Sequence, residues 1–296
     1  MTATEQLRAL SFAVAYRMLG SVAEAEDVAQ EALLRLHGAT GVERPPAFVT
    51  TATTRLAIDV LRSARVRRET YTGSWLPEPL VEEDATRPLE DEEQVSLAFL
   101  VLLERLRPDE RAVLVLRESF DYPFEEIAEI VGKSVANCRQ ILSRARRRIA
   151  DERPRFDPDP EHRRALAARF LAAARSGDMD GLVALLAPDA VLVGDGGGKA
   201  RAIPTPMVGA ARVARALVGF YGQAEEWGLT LEPVVVNGQP GFRSRASDGR
   251  LVNVVGLDVE GGAVRRVHSI LNPDKLGHLG PLSDVALRPV RATEPR

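Results

Sequence analysis

The sequence has a single cysteine, Cys138, which excludes an internal disulfide and any zinc site built from several cysteines. It has no apolar run near the roughly 20 residues that a membrane-spanning helix needs, and its first residues do not follow the pattern of a secretory signal. We therefore expect a cytoplasmic protein, with no metal site and no cofactor. The 45% of hydrophobic residues are ordinary for a globular chain, and 296 residues favour two or three domains.

The chain also lacks an overall excess of positive charge, but its arginines are unevenly distributed. The net charge is −3. Arginines nevertheless cluster at 62–68 and at 139–155, and an acidic stretch at 82–93 separates the two clusters. Because local patches, and not the total charge, govern phosphate binding, the distribution is compatible with a nucleic acid as partner.

Residues 4–68 follow the period of amphipathic helices. Gly20 is a plausible end of the first helix, the capping box from Ser21 to Glu24 begins the second, and Pro45 and Pro46 open the third. The third helix is predicted to turn one set of side chains inward: Phe48, Ala52, Leu56 and Val60.

Periodicity is lost at 70–92, which predicts an extended linker. Within it, Trp75 stands beside Pro77 and Pro79, a combination typical of a stiff, semi-extended peptide with one large apolar anchor. Such a peptide would dock on a neighbouring surface. The alternative is a solvated linker with one exposed tryptophan.

A helix-turn-helix that begins at Phe124 is predicted. Phe124–Val131 forms a short helix, Gly132 ends it, and Ser134 caps a second, basic helix. Arginine pairs with guanine, and Asn or Gln with adenine, so the early exposed positions are the expected base readers and the later arginines the expected phosphate contacts. The predicted DNA contacts are Ser134, Asn137, Arg139, Gln140, Ser143, Arg144, Arg146 and Arg147. The alternative is a solvated basic helix that binds nothing.

After the proline-rich linker at 154–160, the pattern changes to that of an α+β domain. Helices come first, and strand-like segments follow that are separated by Asn237-Gly238, Asp248-Gly249 and Gly261-Gly262. These dipeptides are hairpin turn signals because the turn needs positive φ. Helices followed by a meander of strands predict a curved antiparallel sheet.

Four stretches of the first half resemble bacterial extracytoplasmic-function (ECF) sigma factors: 25–35 (AEDVAQEALLR), the basic-ended helix at 48–68, 106–114 (LRPDERAVL) and 143–146 (SRAR). The resemblance implies two all-α domains. The first, σ2, docks on the β′ clamp helices of RNA polymerase core and recognises and melts the −10 promoter element. The second, σ4, binds the β flap and reads the −35 element.

The resemblance assigns roles to residues of the second and third helices. A polar flank suited to a basic partner helix would bind polymerase, unless it is only an acidic solvated face: Glu24, Asp27, Gln30 and Glu31. Hydroxyl groups next to arginines would capture unstacked bases, and the arginines would bind the DNA backbone. The expected σ2 contacts are Thr50, Thr54, Arg55, Arg62, Arg65, Arg67 and Arg68.

The second half resembles the SnoaL-like branch of the NTF2-like fold, a cone of curved sheet closed by helices. Three motifs match the SigJ-like subgroup of ECF sigma factors: Trp75-Leu76-Pro77-Glu78-Pro79, Asp195-Gly196-Gly197-Gly198-Lys199 and Asn272-Pro273-Asp274-Lys275-Leu276. The resemblance implies an in-built regulator in place of a separate anti-sigma protein. The expected organisation is σ2 at 1–70, linker at 71–94, σ4 at 95–153, linker at 154–160, regulatory domain at 161–280 and tail at 281–296.

The motifs of the second half leave alternatives open. The glycines after Asp195 form either a turn that lets another segment approach or an anion site, and the first is favoured. Asn272, Asp274 and Lys275 either contact the linker or cap the sheet. SnoaL-like folds also host enzymes, so the cone is alternatively a small-molecule enzyme or a ligand sensor attached to a DNA-binding module. Its acid–base candidates are Asp195, Asn253, Asp258 and His268. We expect no catalytic residue, because a lone histidine in a strand is more often structural.

Overall fold

The computed structural model describes residues 2–69, 71–82, 95–150, 156, 159–221 and 227–287, with the backbone alone at 64–69. The chain divides into two compact units. The first contains Met1–Thr70 and Phe99–Arg153, and the second contains Tyr71–Ala98 and Pro154–Arg296. Within the described residues, no helix is long and apolar enough to cross a membrane.

The first unit is helical, and local signals set several of its boundaries. The Ser21 hydroxyl accepts a hydrogen bond from the Glu24 backbone N–H at 3.2 Å, and Gly20 ends the preceding helix in the left-handed conformation that glycine tolerates. The helices are α1 (Ala3–Leu19), α2 (Val22–Gly38), α3 (Pro45–Glu69), α4 (Leu97–Leu103), α5 (Pro108–Glu118), α6 (Phe124–Val131) and α7 (Val135–Ile149).

Helix α3 is rotated by one residue position relative to the prediction. The four positions predicted to face inward are only half-buried. The buried positions are Val49, Thr50, Thr53, Thr54, Ala57, Ile58 and Leu61. Threonines take interior places because partners satisfy most of their hydroxyls; the Thr53 and Ser11 hydroxyls, for example, lie 2.6 Å apart.

Helix α5 is joined to α1 through a buried arginine. The Arg111 guanidinium donates to the Met18 carbonyl at 2.7 Å and pairs with Glu104 at 2.8 Å. Burial lowers the pKa of Arg111 to about 9, so the side chain is charged at neutral pH. A buried charge is stable only with such partners, which ties the first three helices to the following ones.

The second unit is an α+β domain, as predicted, and its sheet is not closed. Its helices are α8 (Pro160–Ser176), α9 (Met179–Leu185) and α10 (Ala210–Tyr221). Its strands are β1 (Val81–Glu82), β2 (Leu186–Asp195), β3 (Met207–Val208), β4 (Thr230–Val236), β5 (Gln239–Arg245), β6 (Leu251–Glu260) and β7 (Ala263–Ile270).

The sheet has the order β1-β4-β5-β6-β7-β2-β3. All neighbouring strands are antiparallel except β2 and β7, which are parallel. The sequence predicts the hairpins but not β1, which is a two-residue piece of the linker paired with the edge of β4. Part of the linker is therefore a strand of the C-terminal sheet.

Both faces of the sheet are covered. On one face, strand residues such as Phe242, Leu257 and Val267 form a core cluster with the buried residues of α8, α9 and α10. Strand residues that point to the other face, including Val236 and Ile270, are also buried. On this second face, a Cβ added at Gly256 would lie 3.0 Å from the Leu97 side chain, so the start of α4 contacts the sheet there.

Candidate functional site

The helix-turn-helix forms as predicted. Gly132 ends α6 with φ of 65°, and the Ser134 hydroxyl caps α7 by accepting from the Asn137 N–H at 3.2 Å. Cys138 and the other apolar residues of α7 face the core. The predicted DNA contacts of α7 are all exposed, from Ser134 to Arg147. The helix thus presents a basic, polar face to solvent.

Neighbouring side chains hold several arginines of this face. The Arg139 guanidinium lies over the Phe124 ring, 5.4 Å from the ring centroid. It also lies 3.6 Å from the Glu125 carboxylate. Arg147 donates to the Ser143 hydroxyl at 3.1 Å, and Arg146 pairs with Glu118 at 2.7 Å. Arg139 and Arg147 therefore project from α7 with side chains that are partly preordered.

Helix α2 carries the predicted polymerase-facing residues on one side. Asp27 and Gln30 are exposed, whereas Glu24 and Glu31 are half-buried. Leu34 continues this side one turn further, and its 60% exposure is unusual for a large apolar residue. The surface thus combines acidic groups with one apolar side chain.

The structure corrects the predicted DNA surface of α3. Thr50 and Thr54 are both 0% exposed, so neither hydroxyl is available to a base in this arrangement. Thr50 accepts a hydrogen bond from the Tyr122 hydroxyl at 2.8 Å. Arg55 donates to the carbonyls of Glu129 and Ile130, both at 3.0 Å. The helix-turn-helix therefore covers part of the surface that the resemblance assigns to the −10 element.

The remaining arginines of α3 divide into two cases. Arg62 is exposed and pairs with Asp59 and Asp109 at 3.4 and 3.3 Å. The side chains of Arg65, Arg67 and Arg68 lie outside the described residues, so their predicted DNA contacts stay predictions.

In the second unit, the structure brings the three motifs together around Asp195. Its carboxylate, 0% exposed, accepts four hydrogen bonds: from the Tyr71 hydroxyl at 2.5 Å, the Leu76 N–H at 2.7 Å, the Gly197 N–H at 3.0 Å and the Lys275 ammonium at 2.6 Å. Two of these donors belong to the linker. We call Tyr71, Leu76, Asp195, Asn272 and Lys275 the linker clasp.

Lys275 is the cation of the clasp. Besides pairing with Asp195, its ammonium donates to the Leu76 carbonyl and lies 4.3 Å from the Trp75 ring centroid and 4.9 Å from that of Tyr71. Trp75 is only half-buried, whereas Leu76 is completely buried. The apolar anchor of the linker is therefore Leu76, and Trp75 covers the lysine.

Two glycines after Asp195 leave room for close neighbours. A Cβ at Gly197 would lie 2.2 Å from the Asn272 amide nitrogen, and one at Gly198 would lie 3.2 Å from Thr72. Both glycines have positive φ. The glycine run is thus the predicted turn that lets another segment approach. Asn272 contacts the linker by donating to the Tyr71 hydroxyl at 2.8 Å.

The pKa of Tyr71 is raised, chiefly by burial and then by its hydrogen bond to the Asp195 carboxylate. The phenol therefore remains a donor well above neutral pH. No pattern in the sequence indicates Tyr71, because it precedes the Trp75–Pro79 motif by several residues and its partner lies more than 120 residues away.

The rest of the three motifs surrounds the clasp. Lys199 pairs with Asp274 at 2.6 Å on the surface, and the His278 ring contacts the Pro79 carbonyl at 2.9 Å. Pro77, Glu78 and Pro79 are buried, as are Gly196 and Leu276, whereas Pro273 is half-buried. The alternative of a solvated linker does not fit this burial.

The residues proposed for an enzyme form separate groups. His268 pairs with Asp258 at 2.8 Å. The Asp195 carboxylate instead accepts hydrogen bonds from Tyr71 of the linker and from Lys275 of the C-terminal domain. Asn253 contacts Ser244, and its amide donates to the Tyr221 hydroxyl at 3.1 Å. Among the described residues, no hydrogen bond joins Asp195 to His268, and the pair that forms among the acid–base candidates is His268 with Asp258. Ligand binding in the cone stays a prediction.

Family comparisons match both units of the chain. Sigma-70 region 2 matches residues 4–67, Sigma-70, region 4 matches residues 96–149, and the SnoaL-like domain matches residues 167–267. The ECF RNA polymerase sigma factor SigJ of Mycobacterium tuberculosis (strain ATCC 25618 / H37Rv) is 40% identical over 288 residues, covering 92% of this chain and 91% of SigJ. The chain belongs to the ECF RNA polymerase sigma factors.

Two further comparisons agree with this membership over more than nine-tenths of the chain. The probable ECF sigma factor SigI of M. tuberculosis (strain CDC 1551 / Oshkosh) is 32% identical over 281 residues, covering 92% of this chain and 93% of SigI. The crystal structure of M. tuberculosis SigJ superposes with a TM-score of 0.75 at 37% identity, covering 94% of this sigma factor and 99% of that chain. This ECF sigma factor directs RNA polymerase to promoters and carries a fused SnoaL-like domain, as the sequence predicts.

Proposed function

We propose that the fused SnoaL-like domain regulates this sigma factor in cis by holding the σ2–σ4 linker. The observation that supports the proposal is the pair of linker hydrogen bonds, from Tyr71 and Leu76, to the buried Asp195 carboxylate. Lys275 reinforces both, because it pairs with Asp195 and donates to the Leu76 carbonyl. A linker fastened in this way limits the separate movement of the two sigma domains.

The clasp is suited to a two-state role. A buried hydrogen-bonding group that loses its partner typically costs about 1–3 kcal/mol, and a charged group costs more. The linker therefore leaves Asp195 and Lys275 only when water or other groups replace its donors. We infer that polymerase and promoter binding supply that free energy, and that the clasp opens during initiation.

Contacts with polymerase and DNA follow the exposed surfaces. We propose that the α2 side containing Asp27, Gln30 and Leu34 binds the β′ clamp helices, since its charge and its apolar group suit a basic helical partner. Helix α7 carries the exposed donors for the −35 element, and σ4 meets the β flap. Helix α3 carries Arg55 and Arg62 for the −10 element.

The proposal is tested by transcription in vitro with core polymerase and the full-length chain, on a promoter selected by that chain from a randomised library. Asp195→Asn removes the charge that the linker and Lys275 share, and Tyr71→Phe removes one linker donor. We expect both variants to raise initiation several-fold, with Asp195→Asn the stronger. Lys199→Ala, which breaks the neighbouring exposed pair with Asp274, is the matched control and leaves initiation unchanged. Equal transcription by wild type, both clasp variants and the control would refute the cis regulation.

A further inference from the structure

Helices α8 and α10 cover one face of the C-terminal sheet and leave their outer positions to solvent. Their inner positions, such as Phe170 and Leu217, belong to the core cluster. The end of α8 lies beside α10, because a Cβ added at Gly177 would lie 4.0 Å from the Val218 side chain. The two helices therefore present a common outer surface.

This outer surface consists of arginines and small residues. Beyond the first turn of α8, the exposed residues are Ala165, Ala168, Arg169, Ala172, Arg175 and Ser176 in α8, and Ala211, Arg212, Arg215 and Gly219 in α10. None of these residues is acidic, aromatic or large and apolar. We call Arg169, Arg175, Arg212 and Arg215 the arginine face. Because their neighbours are small, the guanidinium groups are the longest-reaching groups of the surface.

The arginine face has no partners in the part of the chain that the structure describes. None of its four side chains forms an ion pair, a hydrogen bond or a ring contact there. Exposed arginines beside the sheet differ. Arg265 lies 3.0 Å from Asp189 and 3.3 Å from Glu260, and Arg250 lies 3.6 Å from Asp248. The lack of partners is therefore a property of the helical surface, and not of every exposed arginine in the domain.

Acidic residues lie near the ends of this helical layer. Glu161 is in the first turn of α8, and Asp180 is in the first turn of α9. Asp178 caps α9 by accepting from the Gly181 N–H at 2.9 Å. The centre of the surface is therefore positively charged, although the whole chain has a net charge of −3.

We propose that the arginine face binds the phosphate backbone of duplex DNA without sequence preference. Guanidinium groups match the geometry of phosphate oxygens, and the small residues between them let a duplex approach closely. Single strands are bound chiefly by stacking on aromatic rings, and protein interfaces have an apolar core, so the composition of this surface suits a duplex better than either. The role is additional to the proposed cis regulation and does not depend on it.

The spacing of the arginine face allows several phosphates to be bound together. Arg212 and Arg215 are three residues apart on one side of α10, which places their Cβ atoms about 5–6 Å apart. Arg169 and Arg175 are separated by about 9 Å along α8. Duplex DNA carries one charge per roughly 1.7 Å of its axis, and each phosphate that is neutralised contributes about 0.9 to the slope of log K against log salt.

The test measures binding of the full-length chain to a random-sequence duplex by fluorescence anisotropy at several salt concentrations. The double variant Arg212→Ala, Arg215→Ala should reduce the slope by about 2 and weaken binding about tenfold or more near 0.1 M salt. The double variant Arg250→Ala, Arg265→Ala removes the same charge from the same domain and is the matched control, which leaves slope and affinity unchanged. Arg212→Lys with Arg215→Lys keeps both charges and should retain the wild-type slope.

Two further measurements separate the proposal from its alternatives. Thermal unfolding should be the same in all variants, because the replaced side chains are exposed. Binding of core polymerase should also be the same. Equal salt slopes for the arginine-face variant and the control would overturn the inference. Weaker binding of core polymerase with unchanged duplex binding would overturn it as well, since the face would then contact an acidic protein surface.

Discussion

The Lys275 ammonium and the Asp195 carboxylate lie 2.6 Å apart, and both side chains are almost completely withdrawn from solvent. They lie 80 residues apart in the sequence, yet their remaining hydrogen bonds are largely made to the linker. A pair that served only the domain's own stability would need no linker groups. The arrangement therefore links the fold of the C-terminal domain to the conformation of the segment between the sigma domains.

The raised pKa of Tyr71 predicts a loss of stability at high pH. Because the folded chain holds the phenol proton to higher pH than the unfolded chain, the contribution of Tyr71 to the free energy of unfolding is complete below pH 10 and is lost as the pH rises above 10. Urea unfolding measures the free energy of unfolding at each pH. Its decline between pH 9 and pH 11 should be shallower in Tyr71→Phe than in wild type. An identical decline in both proteins would contradict this.

Tyr221→Phe is a useful comparison for that experiment. Burial also raises the pKa of Tyr221, whose hydroxyl accepts a hydrogen bond from the Asn253 amide inside the domain. Its loss should flatten the same pH profile without faster hydrogen exchange at 71–76. Tyr71→Phe should change both the profile and the exchange.

Arg139 and Arg147 are predicted to have different roles in DNA binding. Arg139→Ala should weaken binding to the selected −35 element by about 1–3 kcal/mol and relax the base preference at one position. Arg147→Ala should weaken binding to all duplexes alike and reduce the slope of log K against log salt by about 1. Fluorescence anisotropy on specific and random duplexes at several salt concentrations distinguishes them. Equal effects of the two variants would remove the assignment of Arg139 as a base reader.

Leu34 is predicted to be an apolar contact for polymerase. Leu34→Ala should weaken the binding of core polymerase about tenfold, because burying an exposed leucine side chain against a partner contributes roughly 1.5–3 kcal/mol. Thermal unfolding should be unchanged, since Leu34 is 60% exposed. Val208→Ala, at a residue of the C-terminal domain that is 51% exposed, is the control and should bind polymerase normally. Equal binding by both variants would exclude Leu34 from the interface.

Local signals in the sequence predict the helix-turn-helix well. Gly132 needs a positive φ, Ser134 caps the following helix, and the apolar spacing selects the buried face of α7, so each boundary depends on residues within a few positions. Helix α3 is predicted less well. Thr50, Thr53 and Thr54 look polar and exposed in the sequence, but their burial depends on partners on other helices, such as Ser11 and Tyr122.

The linker clasp could be predicted only as three motifs without a geometry. The sequence indicates Trp75, Asp195 and Lys275 as notable residues, but not that the carboxylate binds the Leu76 N–H or that Tyr71 belongs to the site. The contacts of Asn237 with the linker could not be predicted for a similar reason. Its turn signal explains the residue type completely, so nothing local remains to indicate contacts with Leu80 and Val95.

The side chain of Arg55 joins α3 to α6 within the helical unit. Its guanidinium closes the carbonyl end of α6 by donating to Glu129 and Ile130. These bonds use two of the five N–H donors of the guanidinium, so a phosphate that Arg55 is proposed to bind either takes the remaining donors or competes with α6 for these two. We therefore expect that, where the −10 element competes for these two donors, its affinity is lowered by the free energy of separating α3 from α6.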